Sequence, residues 1–375
     1  MNNKILKKVA LGLALVVTVT SVSVPAARAS EAPAFNKAKV SVKVGQTKKL
    51  KVKNAEWKLK KAVSSDENVA TAKVKGKKQL VKVTGVSTGK TVVTATFKKA
   101  DVKQTVEVPV TVKDNVVTKA AKSYFANYTD RKKQVADVTK LIDENANILI
   151  IDIRDAASYE AGHLKGAVNI PYAKIAENLE LIPDDIPVYL NCFSGQTASQ
   201  TVALLAVAGK DAYNIQGGWN NVKAAEGYLE TTENTLSGKT YAVDPAIKAA
   251  ITKYYADAAA SEGGNFNFAV SKLADLIKAG DDTYRVVDIR SAEDHAKGHI
   301  PGADINVPFP TGMPAGFDNI PKDKPVIVQC YSGQTASQTV AILRLLGYEA
   351  YNLSGGMGAE GGNGWLGGGN ALVTK

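Results

Sequence analysis

Both cysteines of the 375-residue chain sit in one phrase written twice, Cys192 in "NCFSGQTASQ" and Cys330 in "QCYSGQTASQ". Each phrase follows a short apolar run, "PVYLN" or "PVIVQ", and precedes an alanine- and leucine-rich stretch with helical spacing, Ala198–Ala208 or Ala336–Leu346. Short, β-branched, continuously apolar runs read as parallel strands buried on both faces. Each cysteine is therefore expected where a central strand ends and a helix begins. The backbone N–H groups of such a loop and of the first helical turn form a concave anion site. Gly195 and Gly333 let the chain curl there without a Cβ clash. A thiol at the centre is expected to react as the thiolate, and a bound persulfide or oxyanion would meet the same donors. Cys192 and Cys330 are the candidate nucleophiles. Phe193, Ser194, Gly195, Gln196 and Thr197, with Tyr331, Ser332, Gly333, Gln334 and Thr335, are the candidate substrate-binding residues, and the serines and threonines are expected to add hydroxyl donors.

The remaining reactive side chains read differently. Asp152 and Arg154, matched by Asp288 and Arg290, begin the loops after two further strands; they are expected to form a loop brace, with contact to an anion as the alternative. His163 and His299 fall in "GHLKGA" and "GHIPGA" at turns into the next strand, where the residues alone leave a Cys–His pair and a hydrogen-bonded turn histidine both open. His295 has Tyr159 as its counterpart and is expected at the surface. No set of His, Cys and carboxylates has metal-ligand spacing, so neither metal nor other cofactor is expected. Two cysteines also admit a single disulfide, which would need Cα atoms within about 7 Å; loops on two separate sheets are not expected to meet so closely.

The elements that must hold these groups are duplicated as a whole. Asp152 recurs as Asp288 and His163 as His299, each 136 residues later, while Cys192 recurs as Cys330 and Gly217 as Gly355, each 138 later. Strands and helical stretches alternate through both copies, over residues 117–235 and 243–375, so each is read as a small α/β domain with a central parallel sheet. The tail "GGMGAEGGNGWLGGGNALVTK" reads as flexible, with docking of Trp365 on the second domain as the alternative.

Upstream the grammar is different. Residues 35–113 alternate with period two, as in "KVSVKVGQTKKLKVK", and glycines break them into short strands, which predicts an antiparallel β-sandwich. Residues 1–29 place Lys4, Lys7 and Lys8 before an apolar run that ends near Ala27-Arg28-Ala29, the pattern of a cleavable secretory signal. The net charge of +11 divides into +4 for residues 1–29, +14 for residues 30–113 and −7 for the rest. A secreted or cell-surface protein is expected, with a basic module beside a mildly acidic working part. An anionic wall polymer or membrane surface suits that module, solubility of a small β domain is the competing explanation, and nucleic acid is not an expected partner.

The two copies resemble the rhodanese sulfurtransferase superfamily. The resemblance rests on "IDIRDAASYEAGHLKGAVNIP" and "VDIRSAEDHAKGHIPGADINVP", on the two cysteine loops, and on the closing "NIQGGW" and "NLSGGM". It implies that each cysteine accepts a sulfane sulfur as a persulfide and passes it to a thiol or cyanide, and that His163 and His299 are hydrogen-bonded turn histidines in preference to partners of the cysteines. Thr197 and Thr335 stand where many single-domain relatives carry arginine, a feature shared with tandem thiosulfate and mercaptopyruvate sulfurtransferases. Thiosulfate-preferring loops carry basic residues, whereas Phe193, Ser194 and Gln196 are uncharged, which ranks a persulfide or polysulfide donor at least level with thiosulfate. Rhodanese-like phosphatases need a longer loop closed by arginine, and both features are missing twice. A non-catalytic or redox-sensing surface protein is the alternative function. The segment "VTGVSTGKTVVTAT" and its surroundings resemble bacterial immunoglobulin-like group 2 domains, which implies adhesion or spacing in place of chemistry.

Overall fold

A computed structural model describes residues 32–374, so the expected leader at residues 1–29 lies outside the described residues. The chain forms two compact units, one ending at Lys113 and one beginning at Asp114.

The first unit is built of strands β1 (Val40–Lys43), β2 (Thr47–Lys51), β3 (Lys58–Ser64), β4 (Ala70–Lys75), β5 (Leu80–Gly85), β6 (Gly89–Lys99) and β7 (Val102–Lys113). They make one sheet in the order β1-β7-β6-β3 and another in the order β2-β5-β4. The period-two pattern sends Val93, Ala95 and Phe97 of β6 and Val108, Val110 and Val112 of β7 into a cluster with Leu50, Val81 and Val83 of the other sheet. The expected all-antiparallel arrangement needs one correction: β1 pairs with β7 in parallel, Val40 opposite Val110. The chain turns at Gly45 (φ +78°) straight into β2 of the second sheet, so β1 serves as an edge strand and has no hairpin partner of its own.

The second unit contains both copies. The first runs α1 (Val116–Ala126), β8 (Lys132–Lys133), α2 (Val135–Asp143), β9 (Leu149–Asp152), α3 (Ala156–Glu160), β10 (His163–Leu164), β11 (Ala167–Asn169), α4 (Ile175–Asn178), β12 (Val188–Asn191), α5 (Gln196–Val207), β13 (Ala212–Ile215), α6 (Trp219–Val222) and β14 (Leu229–Glu230). The second runs α7 (Pro245–Ala259), β15 (Asn267–Phe268), α8 (Val270–Lys278), β16 (Arg285–Asp288), α9 (Ala292–Lys297), β17 (Ile305–Asn306), β18 (Val326–Gln329), α10 (Gln334–Leu345), β19 (Ala350–Leu353) and α11 (Gly364–Gly367). Each copy has a five-stranded sheet, β11-β9-β12-β13-β8 and β17-β16-β18-β19-β15, and all its pairings are parallel.

The copies share one apolar core. Ala198, Val202 and Leu205 of α5 lie in the same cluster as Ala336, Val340 and Leu343 of α10. Both helices are buried nearly all round, which explains why neither shows a clean polar face. The first helix of each copy reaches across to the other. Tyr124 Oη of α1 donates to Gln338 Oε1 of α10 at 2.7 Å, while Phe125 meets Phe309 and Phe317 edge-on. In return Tyr254 and Tyr255 of α7 donate to Gln200 and Thr201 of α5, both at 3.0 Å. Burial holds the Tyr124, Tyr254 and Tyr255 hydroxyls well above the usual phenol range, so they remain donors at any pH the protein meets.

The tail adopts its docked alternative. Trp365 is 2% exposed, its indole N–H donates to the Ala371 carbonyl at 2.9 Å, and Val373 exchanges backbone hydrogen bonds with His299. The flexible reading is corrected for residues 358–373; the glycines there allow tight turns around the anchored indole. Among the described residues no helix is long and apolar enough to cross a membrane.

Candidate active site

Cys192 follows the last residue of β12, and Cys330 the last of β18, at the carboxyl edge of each sheet. Both thiols are free and 2% exposed. Cys192 Sγ accepts backbone N–H bonds from Gly195 (3.1 Å) and Ala198 (3.4 Å), and Cys330 Sγ from Gly333 (3.1 Å) and Ala336 (3.3 Å). Each loop therefore wraps its sulfur with amide donors, beside a first helical turn whose amides have no acceptor within the helix.

Two pairs of glycines make this curl possible. Gly195 and Gly333 have φ of +79° and +78°. Gly218 and Gly356 back the loop so closely that a Cβ would lie 2.3 and 2.4 Å from the cysteine carbonyl oxygens. Next to them, the N–H groups of Trp219 and Met357 donate to those same carbonyls at 2.6 and 2.7 Å.

The brace lies beneath. Arg154 Nε bonds both Asp152 oxygens at 3.0 Å, and Arg154 Nη2 bonds Asp152 Oδ2 and the Gly162 carbonyl, each at 2.7 Å. Arg290 repeats the pattern on Asp288 and Gly298. At most 5% of any of these four residues is exposed, and both charges of each pair are answered by the other and by backbone. The Arg154 guanidinium also lies 3.9 Å from the Trp219 ring centroid.

His295 is the clearest correction to the sequence reading. It is 6% exposed, its Nδ1 lies 3.0 Å from Asp288 Oδ2, and it stacks on His299. In the first copy Asn191 Nδ2 bonds Asp152 Oδ2 at 2.9 Å, and Tyr159 turns its hydroxyl away to the Ala167 carbonyl. In the second copy Gln329 replaces Asn191 and its amide makes no hydrogen bond to a described residue, so His295 becomes the donor. The two changes compensate, a signal readable by comparing the copies position by position. His163 Nδ1 lies 2.8 Å from the Tyr159 carbonyl and His299 Nδ1 2.9 Å from the His295 carbonyl, so both are hydrogen-bonded within their turns and neither contacts a cysteine.

The loops also meet each other. Gln196 Oε1 accepts from Asn352 Nδ2 (2.8 Å) and from the Gly355 N–H (3.0 Å) of the second copy. Gln334 Oε1 accepts from Asn214 Nδ2 (2.7 Å) of the first. Each glutamine turns its Nε2 back to its own loop, Gln196 to Ser194 Oγ and Gln334 to Ser332 Oγ. Each glutamine thus ties its cysteine loop to a strand of the other copy, Gln196 to β19 and Gln334 to β13, while the serine hydroxyls hold the glutamines within their own loops. Thr197 and Thr335 occupy the second helical position, and their carbonyls accept from Thr201 and Thr339. Phe193 and Tyr331 are the exposed members, 51% and 53%. A pocket of about 430 Å³ opens beside the Cys330 loop, walled by Ile289, Pro308, Tyr331 and Thr335 and, from the first copy, by Asp130 and Lys132. Sequence reading did not connect Lys132 with this loop. Its counterpart by strand register is Asn267, which accepts from Asn352.

The family described as "Rhodanese-like domain" matches residues 134–225 and 269–359. A thiosulfate sulfurtransferase GlpE of Pseudoalteromonas translucida is 32% identical over 100 residues, covering 26% of this chain and 92% of the relative. The chain belongs to the rhodanese-like family. It carries two rhodanese-like domains in tandem, and its relatives include sulfurtransferases. A second GlpE, from Pseudomonas fluorescens, is 33% identical over 82 residues, 21% of this chain and 75% of the relative. Among solved structures, SseA of Escherichia coli, described with the 3-mercaptopyruvate sulfotransferases, aligns at 19% identity with a TM-score of 0.31, covering 60% of this chain and 98% of SseA. Among the described residues no group of three or more His, Cys, Asp or Glu is arranged to hold a metal ion.

Proposed function

We propose that the protein is an exported sulfurtransferase that carries sulfane sulfur as a persulfide on Cys192 and Cys330. The observation that supports this most is the pair of backbone N–H bonds onto each Sγ at the carboxyl edge of a parallel sheet. Donors fixed there stabilise negative charge on a thiolate and on a persulfide without rearrangement. In the first half-reaction the cysteine thiolate attacks the terminal sulfur of a donor R–S–S⁻. The Sγ–S bond forms, the donor S–S bond breaks, and RS⁻ leaves with that bonding pair. In the second, a thiolate or cyanide attacks the outer sulfur, takes it as R′–S–S⁻ or thiocyanate, and releases the cysteine thiolate.

The uncharged loops favour a persulfide or polysulfide donor at least as strongly as the thiosulfate dianion, for which each loop offers only backbone dipoles. Export follows from the signal-like residues 1–29, and the lysine-rich unit, read as an immunoglobulin-like module, is proposed to hold the enzyme at an anionic surface. The test is thiocyanate formation by the purified protein with thiosulfate, 3-mercaptopyruvate and glutathione persulfide. Turnover with at least one donor, lost in Cys192→Ser/Cys330→Ser, is expected. Equal rates for the double variant and the parent, or none above background with any donor, would overturn the enzyme reading in favour of a binding or redox-sensing protein.

A further inference from the structure

The sheet β2-β5-β4 shows one face on which lysines line up across all three strands. Register places Lys49 opposite Lys82 and Lys82 opposite Lys73, so three ammonium groups share one cross-strand row. The next row flanks Leu80 with Lys51 and Lys75, and on the other side runs a hydroxyl row of Thr47, Thr84 and Thr71. All five lysines are exposed, and none forms an ion pair with a described residue. No Asp or Glu occurs in the three strands.

Folding alone does not account for this face. Like charges directly opposite each other across strands are destabilising, and lysine is a poor strand former. Solubility is served by mixed, dispersed charge and does not call for a single-sign lattice. Adjacent strands are about 4.8 Å apart and alternate residues about 6.8 Å apart, so the lysines form a lattice of positive points at roughly that spacing.

We propose that this face binds a linear polyanion of phosphate or phosphodiester units, laid along the Lys49–Lys82–Lys73 row. Residues 30–113 contain no arginine, so this face presents compact ammonium point charges, the form in which lysine binds phosphate, and no planar fork. The threonine row adds neutral donors beside the charges. Insertion into a bilayer is not served by this face, because the exposed large apolar side chains among the described residues of the unit, Val63, Val86 and Val102, lie outside its three strands. The proposal specifies the partner in the attachment reading above and is independent of the sulfur chemistry.

The full chain is titrated with long-chain inorganic polyphosphate and with poly(glycerol phosphate) at increasing salt, with single-stranded DNA and anionic lipid vesicles as further arms. Both phosphate polymers are expected to bind, with affinity falling by about the third power of salt concentration. Lys49→Gln/Lys73→Gln/Lys82→Gln should weaken binding about tenfold to a hundredfold and flatten the salt slope by about two. The control Lys37→Gln/Lys77→Gln/Lys103→Gln removes the same charge elsewhere and should change affinity by less than about threefold. Comparable binding of DNA supports recognition of the shared phosphodiester chemistry. A further supporting result is a higher melting temperature for Lys82→Thr together with weaker polymer binding. Equal losses in the two triple variants overturn this face while leaving attachment by net charge. Binding to vesicles but not polymers overturns the polymer in favour of a membrane. No binding by the parent chain to any probe overturns both this proposal and the attachment reading.

Discussion

In the first rhodanese-like domain Asp152 takes its extra side-chain donor from Asn191, whereas in the second Asp288 takes it from His295. The loop above is the same in both: a cysteine with two amide donors on sulfur, a positive-φ glycine, and a Gly-Gly turn pressed against the cysteine carbonyl. The cover differs, with Trp219 over Arg154 in one domain and Met357 at the equivalent turn in the other, where the Tyr331 hydroxyl bonds Asp294. The difference teaches where the fold tolerates change. Groups that shape the ring around sulfur are duplicated without alteration, while the donors that complete the brace can be exchanged provided the carboxylate still receives one. A second asymmetry concerns the approach: Lys132 lines the pocket beside Cys330, and Asn267 stands at the matching place for Cys192.

The sharpest way to break the equivalence of the halves is to remove the thiols one at a time. If both domains turn over, Cys192→Ser and Cys330→Ser each retain part of the parent rate, and the double variant falls by about a thousandfold or more. With thiosulfate, Cys330 should carry the larger share because Lys132 faces its pocket; with a persulfide donor the shares should be closer. Steady-state rates with each donor check this, and a single variant as dead as the double would show that one domain serves only as scaffold.

Next in size is the brace. Asp152→Ala or Asp288→Ala leaves a buried guanidinium without its carboxylate and is expected to destabilise the second unit by about 3–5 kcal/mol in urea unfolding. The two should cost about the same, since Asp152→Ala also deprives Asn191 of its partner and Asp288→Ala deprives His295. The cross-domain link comes third. Gln196→Ala strands the Gly355 N–H and one N–H of the Asn352 amide, whose other partner is Asn267, and should cost about 1–3 kcal/mol. Gln334→Ala strands only the Asn214 amide and should cost less. The smallest effect is expected from Gln329→Asn, which copies the first domain into the second; by giving Asp288 a side-chain donor beside His295 and leaving one unpartnered buried amide atom in place of two, it should raise stability by about 0.5–1 kcal/mol. A loss of that size would show that the two covers are not interchangeable.

Much of the site was legible because its determinants are local. The apolar runs before each cysteine became β12 and β18, and the stretches after them became α5 and α10, which begin at Gln196 and Gln334, two residues ahead of the expected starts. The brace was legible from the spacing of Asp152 and Arg154 and its repeat. The crosswise packing of α1 and α7 was not, because it joins Tyr124 to Gln338 and Tyr254 to Gln200 across long stretches of chain. Neither was the burial of Gln196 and Gln334, since a polar residue in a loop looks like a ligand contact until the opposing domain is in place. His295 was misread because a position without a matching histidine looked dispensable; the change at Gln329 was the missing half of the argument. The tail was misread because glycine frequency outweighed one tryptophan that anchors it.

The central claim, that both cysteines carry sulfane sulfur, is tested most directly by intact-protein and peptide mass spectrometry after exposure to glutathione persulfide and removal of excess donor. The account predicts one added sulfur atom on Cys192 and one on Cys330, both discharged by cyanide with release of thiocyanate. No added sulfur on either cysteine, or equal uptake by the chain with both replaced by serine, would contradict it.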